Sequence, residues 1–200
     1  MSIKTFSEIQ FENFCAANGI ACEKIKENVE DNVKTPDYKV LINGQQFVFE
    51  IKQIDKDIRY PNGSWRLVPG ELIRTVITKK NCQVKESAKN GFPTVLLIYN
   101  HFDHYFQTLG TDHHDFIAAM YGEMTILIDK TSKKMVDSFH GENSKCQPKS
   151  NTSFSAIGGI YQRGANIEVR IYENVYARVP IDYASLPSCI HAHRIQLTTA

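Results

Sequence analysis

Thr35-Pro36-Asp37-Tyr38-Lys39-Val40-Leu41-Ile42-Asn43-Gly44-Gln45-Gln46-Phe47-Val48-Phe49-Glu50-Ile51-Lys52 is the stretch that decides the fold. Asn-Gly between two runs of alternating apolar and polar residues is the strongest short-range signal for a two-residue hairpin loop. With Asn43 and Gly44 as the whole loop, Ile42 faces Gln45, Tyr38 faces Phe49, and Asp37 falls directly opposite Glu50. Side chains alternate along a strand, so Tyr38, Val40, Ile42, Phe47, Phe49 and Ile51 share one face and are expected in the core. Asp37, Lys39, Leu41, Gln46, Val48, Glu50 and Lys52 share the other, which is expected to carry the chemistry.

Directly opposed residues keep their Cβ atoms about 5 Å apart, which lets two carboxylates share one hard cation such as Mg²⁺. Lys52, on the same face as Glu50, offsets the repulsion between the acids and is placed to hold a water or a phosphate oxygen. The chemistry that such a set suits is metal-assisted attack of water on phosphorus. The plainer reading is a half-exposed hairpin with a cross-strand ion pair, which is worth little energetically.

At these residues the chain resembles the PD-(D/E)xK, or restriction-endonuclease-like, nuclease superfamily. Pro36-Asp37 matches the first half-motif and Glu50-Ile51-Lys52 the second, and the resemblance covers roughly residues 5 to 100. It implies an α/β fold, bordering on α+β, with an αβββαβ core whose central mixed sheet is flanked by helices. It also implies a divalent metal, Mg²⁺ with Mn²⁺ as a substitute, at Asp37, Glu50 and Ile51, and a lysine, Lys52, that positions the attacking water. The activity implied is phosphodiester hydrolysis in nucleic acid, DNA before RNA, most simply by an endonuclease. A catalytically silent nucleic-acid-binding or interaction protein on the same fold is the alternative.

A helix is expected from Phe6 to about Asn18, capped by Thr5 or Ser7 and stopped at Gly19. Glu8 and Glu12 lie four apart beside its apolar stripe. Many members of the resembled superfamily place a further acid on this helix, and Glu12, next to the Phe11 and Phe14 anchors, is favoured over Glu8. A second helix is expected from Pro69 to about Asn90 on the apolar positions Leu72, Ile73, Val76, Ile77 and Val84. Its polar side is read as carrying Arg74, Lys79, Lys80, Gln83 and Lys85, a basic face suited to phosphates.

Thr94 to Tyr99 is a continuous apolar run, the composition of a strand covered on both faces. Beyond it a helix is expected over Asp112–Tyr121 and a strand pair over Met124–Ile128 and Met135–Phe139. A polar excursion follows over His140–Asn151, then a last strand pair over Ser153–Tyr161 and Asn166–Tyr172. No linker divides the chain, so residues 1–200 read as one domain, with a core to about residue 100 and an elaboration from about 101 to 200.

The histidines offer a rival site: His101, Asp103, His104, Asp112, His113, His114 and Asp115 crowd one segment. None of their spacings matches a zinc motif, and a polar loop with a helix start accounts for them. Cys189, His191 and His193 are a weaker grouping, and Gly158-Gly159 and Gly164 lack the following helix of a phosphate loop. The five cysteines form no CxxC and are odd in number, which fits buried thiols in a reducing compartment. With no run of about 18 apolar residues and no signal-peptide pattern, a cytoplasmic protein without membrane contact is expected. A net charge of +1 argues against a chain that coats nucleic acid, though not against a locally basic cleft. Any sequence preference would come from loops of this domain, a second copy, or a partner subunit.

Overall fold

The computed structural model describes residues 4–26, 35–55, 68–101 and 107–196. The hairpin forms with the expected register: β2 (Tyr38–Ile42) pairs antiparallel with β3 (Gln45–Ile54), Tyr38 against Phe49 and Ile42 against Gln45. Asn43 and Gly44 take φ of 47° and 82°, the left-handed pair that a tight turn matching strand twist requires. β3 continues well past the end of β2, so Glu50 and Lys52 lie on a strand that must find its second neighbour elsewhere.

That neighbour is β4 (Thr94–Asn100), parallel to β3 with Glu50 beside Leu96 and Lys52 beside Ile98. A parallel pair needs a crossover, and α2 (Glu71–Lys89) supplies it. Every residue of β4 is buried, as its unbroken apolar composition requires. On the chain's N-terminal side, α1 (Phe6–Ala17) leads into β1 (Ala21–Lys24), which pairs antiparallel with β2. The order of elements to this point is α1, β1, β2, β3, α2, β4.

The elaboration joins the same sheet. After α3 (His113–Tyr121), a separate hairpin of β5 (Met124–Ile128) and β6 (Met135–His140) stands apart as a two-stranded sheet. β7 (Ala156–Arg163) then docks parallel to β4, β8 (Asn166–Glu173) antiparallel to β7, and β9 (Ile190–His193) parallel to β8. The result is a mixed sheet of seven strands in the order β1-β2-β3-β4-β7-β8-β9. Gly158 lies inside β7, where a Cβ would stand 2.0 Å from the Arg170 carbonyl oxygen, so this glycine is there for close strand packing.

Two apolar layers clamp the sheet. Phe11, Phe14 and Cys15 of α1 pack on Tyr38, Val40, Phe47, Phe49, Ile51, Val95, Leu97 and Tyr99. On the opposite face, Ile73, Val76, Ile77 and Val84 of α2 and Phe116 and Met120 of α3 pack on Leu96, Ile98, Ile157 and Tyr172. Val48 and Glu50 are buried, at 2 % and 0 % exposure, and Glu50 meets Lys80 of α2, so the half-exposed hairpin face of the plainer reading is not found at these positions. Lys39 and Leu41, one strand further from α2, remain exposed. Among the described residues no helix is long and apolar enough to cross a membrane.

Candidate active site

Asp37 stands where β2 peels away from β3, and its backbone and side chain are both tied down. Its N–H donates to the Phe49 carbonyl at 3.1 Å, and its own carbonyl accepts from the Ile25 N–H at 2.8 Å. The carboxylate takes over the ladder: Oδ2 accepts the Ile51 N–H at 2.7 Å. The regular pairing stops at Tyr38 and Phe49, so Asp37 is held to β3 by its backbone N–H and its carboxylate rather than as the strict cross-strand partner of Glu50. Ile51, expected at the metal, is seen here as the group that orients Asp37.

Glu50 is a buried carboxylate without the hydrogen bonds such a group normally has. Its side chain is fully buried, yet neither Oε1 nor Oε2 makes a hydrogen bond. A buried acceptor normally finds a donor, because leaving it dry costs about 1–3 kcal/mol and more when it is charged. Burial first, and the Asp37 charge second, push its carboxyl up to about 7, against the opposing pull of Lys80 and Lys52. Asp37 is also raised, chiefly by burial, while the Ile51 N–H and the Lys80 charge act the other way.

Lys80 Nζ lies 2.6 Å from Glu50 Oε1, an ion pair that does not meet hydrogen-bond geometry. This position corrects the reading of Lys80 as part of a solvated basic face. At about 100° per residue, Lys80 falls in the same stripe as Val76, Ile77 and Val84, which point at the sheet. Gln83 and Lys79 lie on the flank next to it, whereas Arg74 and Lys85 lie more than about 100° round the helix. Arg74 is engaged elsewhere, donating to the Pro69 carbonyl at 2.6 Å and the Ala118 carbonyl at 3.0 Å, with Glu123 at 3.7 Å. Lys79 and Lys85 are exposed and Gln83 is half-buried. The five residues thus do not form one surface.

Lys52 is half-buried on β3, and among the described residues its ammonium makes no hydrogen bond. Its charge reaches Glu50. On the other layer, Glu8 rather than Glu12 is the helix acid that acts on Asp37. Glu8 forms a capping box with Thr5 and accepts from Lys24 Nζ at 2.5 Å, which together hold its carboxyl below the usual range despite burial. Glu12 instead accepts from the Tyr38 hydroxyl at 2.8 Å and from Lys4 Nζ at 2.7 Å. Asp37 is therefore the point at which charges from both layers meet: Glu8 and Lys24 from one side, Lys80 from the other.

The donors suit a hard divalent ion. Asp37 and Glu50 offer oxygen only, and the two Glu50 oxygens lacking hydrogen bonds are what an ion-binding carboxylate leaves open. Among the described residues no three His, Cys, Asp or Glu side chains converge on one point, so an ion here would have at most these two carboxylates from the described residues. That suits Mg²⁺, which is usually held by one or two carboxylates with waters and phosphate oxygens completing its shell.

The rival histidine segment is dispersed. Asp112 and Asp115 cap α3 reciprocally, and Asp115 also accepts from the Gly70 N–H at 2.9 Å. His101 rests near the Phe6 ring at 4.9 Å, and His113 packs against Tyr172 and His193. Asp103 and His104 lie outside the described residues. Cys189 is half-buried, apart from any metal-holding group among the described residues. Comparison with protein-family models, with curated proteins and with solved structures finds no match to this chain.

Proposed function

We propose that the chain is a metal-dependent nuclease on a restriction-endonuclease-like core, hydrolysing phosphodiester bonds of nucleic acid, DNA in the first instance, with Mg²⁺ or Mn²⁺ as cofactor. The single observation that carries this reading is Glu50, a fully buried carboxylate with neither oxygen hydrogen-bonded, set in the field of Asp37. The succession α1, β1, β2, β3, α2, β4 supports the αβββαβ core, with β3 and β4 parallel as a helical crossover dictates.

A divalent ion at Asp37 and Glu50 supplies charge neutralisation at the phosphate and acidifies water. The chain's own residues do the positioning. The Ile51 N–H fixes one oxygen of Asp37 and leaves the rest of the carboxylate to turn toward the ligand. The Lys52 ammonium, with no hydrogen bond among the described residues, is available to the charge that builds on phosphate oxygens in the transition state. Glu8 contributes through the electrostatics of Asp37, and Lys79 and Gln83, beside Lys80, are the α2 residues nearest to a phosphate path.

One observation favours a second reading, a silent interaction protein on the same fold. The Lys80 ammonium already gives Glu50 a counter-charge, which a site that never holds metal would need. Calorimetric titration separates the two. Mn²⁺ is expected to bind the wild-type chain at one site and to lose that binding in Asp37→Ala, whose fold survives because removal of one acid relieves repulsion. Unchanged Mn²⁺ affinity in Asp37→Ala would place the ion elsewhere, and absence of binding in the wild type would favour the silent protein.

A further inference from the structure

Lys80 occupies a position that neither a solvated helix nor a phosphate contact explains. Its side chain is only 20 % exposed, and its charge is directed at a carboxylate with no exposure at all. The neighbours that set its reach, Val76, Ile77 and Val84, are buried, so the docked helix delivers the ammonium to Glu50. We propose that Lys80 is a resident counter-cation for Glu50, one that a divalent ion must displace from the carboxylate in order to enter the site. This rests on the nuclease reading above, since it takes Glu50 as a metal ligand.

Four considerations support exchange over permanent pairing. The contact of 2.6 Å is an ion pair whose angles fall outside hydrogen-bond geometry. Among the described residues Glu50 Oε2 accepts no hydrogen bond, which leaves that oxygen open to an incoming ion. An ammonium and a divalent ion within about 3 Å of one oxygen repel strongly, so the two cannot share it. The flexible four-carbon stem of lysine, partly exposed here, gives the ammonium a way out that a rigid planar guanidinium would lack. A buried acid next to a second acid is thereby kept neutralised and ordered before metal arrives, at the expense of metal affinity.

The test uses the full chain and Mn²⁺ alone, with no nucleic acid present. In calorimetric titrations Lys80→Met, which keeps the stem and removes the competing charge, is expected to bind Mn²⁺ at least tenfold more tightly than wild type. Lys80→Arg, which keeps the charge and holds carboxylates by a fork, is expected to bind it several-fold more weakly. Equal or weaker binding by folded Lys80→Met overturns the proposal while leaving metal binding in place. Should Lys80→Met fail to fold without metal, Lys80→Arg decides: unchanged or tighter binding overturns the proposal, and weakened binding supports it. No Mn²⁺ binding by the wild type or by either variant overturns the nuclease reading and this proposal together.

Discussion

Lys52→Ala is expected to lower the single-turnover rate of nucleic-acid cleavage by about a hundredfold or more while leaving substrate affinity within a few-fold of wild type. The asymmetry follows from where the ammonium acts. A group that meets charge developing on phosphate oxygens contributes mainly in the transition state, so its loss falls on rate and not on ground-state binding. On the proposed reading Lys52 takes that role from β3, which is held between β2 and β4, and its charge is near enough to Glu50 to lower that carboxyl. Its removal should therefore also move the alkaline limb of the Glu50 titration upward. Rates equal to wild type would take Lys52 out of the mechanism. Substitution of exposed Lys79 should have the opposite profile, with weaker binding and a flatter salt dependence if it contacts phosphate.

The second large effect is on stability. Glu50→Gln is expected to stabilise the metal-free chain at pH 8 and to change it little at pH 4. The sign follows from proton binding: the folded carboxyl is pushed up to about 7, chiefly by burial and then by Asp37. Between the ordinary glutamate range and about 7, the folded chain holds a proton that the unfolded chain has released. Stability is therefore lost as pH rises through that window, and the full penalty stands above it. Its magnitude is of order 3 kcal/mol, a large fraction of a typical folding free energy. In Glu50→Gln the Lys80 ammonium faces a neutral amide at both pH values, so the change in the stability difference between them is what reports ionisation of Glu50. Urea denaturation at the two pH values measures it, and an equal stability difference at both would show that Glu50 carries no such burden.

How much of this could be read from the sequence depends on what each signal constrains. Asn43-Gly44 demands a particular loop, and a two-residue loop leaves one register, so the core face of the hairpin followed directly. The buried strand over residues 94–100 was legible for a similar reason, since an unbroken apolar run has few other homes. Less legible was the other face of the hairpin. Alternation distinguishes two faces but does not say whether a helix covers the second, and Val48 and Glu50 are buried, Glu50 against Lys80 of α2, while Lys39 and Leu41 are exposed.

Lys80 shows the same difficulty in a single residue. Its charge suggested a solvated face, although its spacing from Val76, Ile77 and Val84 placed it in the apolar stripe, and position prevailed over charge because Glu50 waited beneath. For the acid on α1, Thr5 followed by Glu8 is a capping-box pattern that sequence alone carries. The anchors Phe11 and Phe14 drew attention to Glu12 instead, and no sequence signal shows that Tyr38 and Lys4 occupy it. β1 and β9, each four residues long at an edge of the sheet, were not foreseen because so short a run carries too few alternations to stand out. The end of regular pairing at Asp37 was likewise hidden, since it depends on a carboxylate replacing a backbone carbonyl as the acceptor for Ile51.

The most direct test of the account is a cleavage assay on a mixed set of DNA and RNA substrates, single-stranded and duplex, with wild type and Asp37→Ala side by side. Cutting of at least one substrate by the wild type, present with Mg²⁺ or Mn²⁺, absent with a chelator, and absent in Asp37→Ala, is the predicted result. No cutting of any substrate with either metal, or equal cutting by the two proteins, would contradict it.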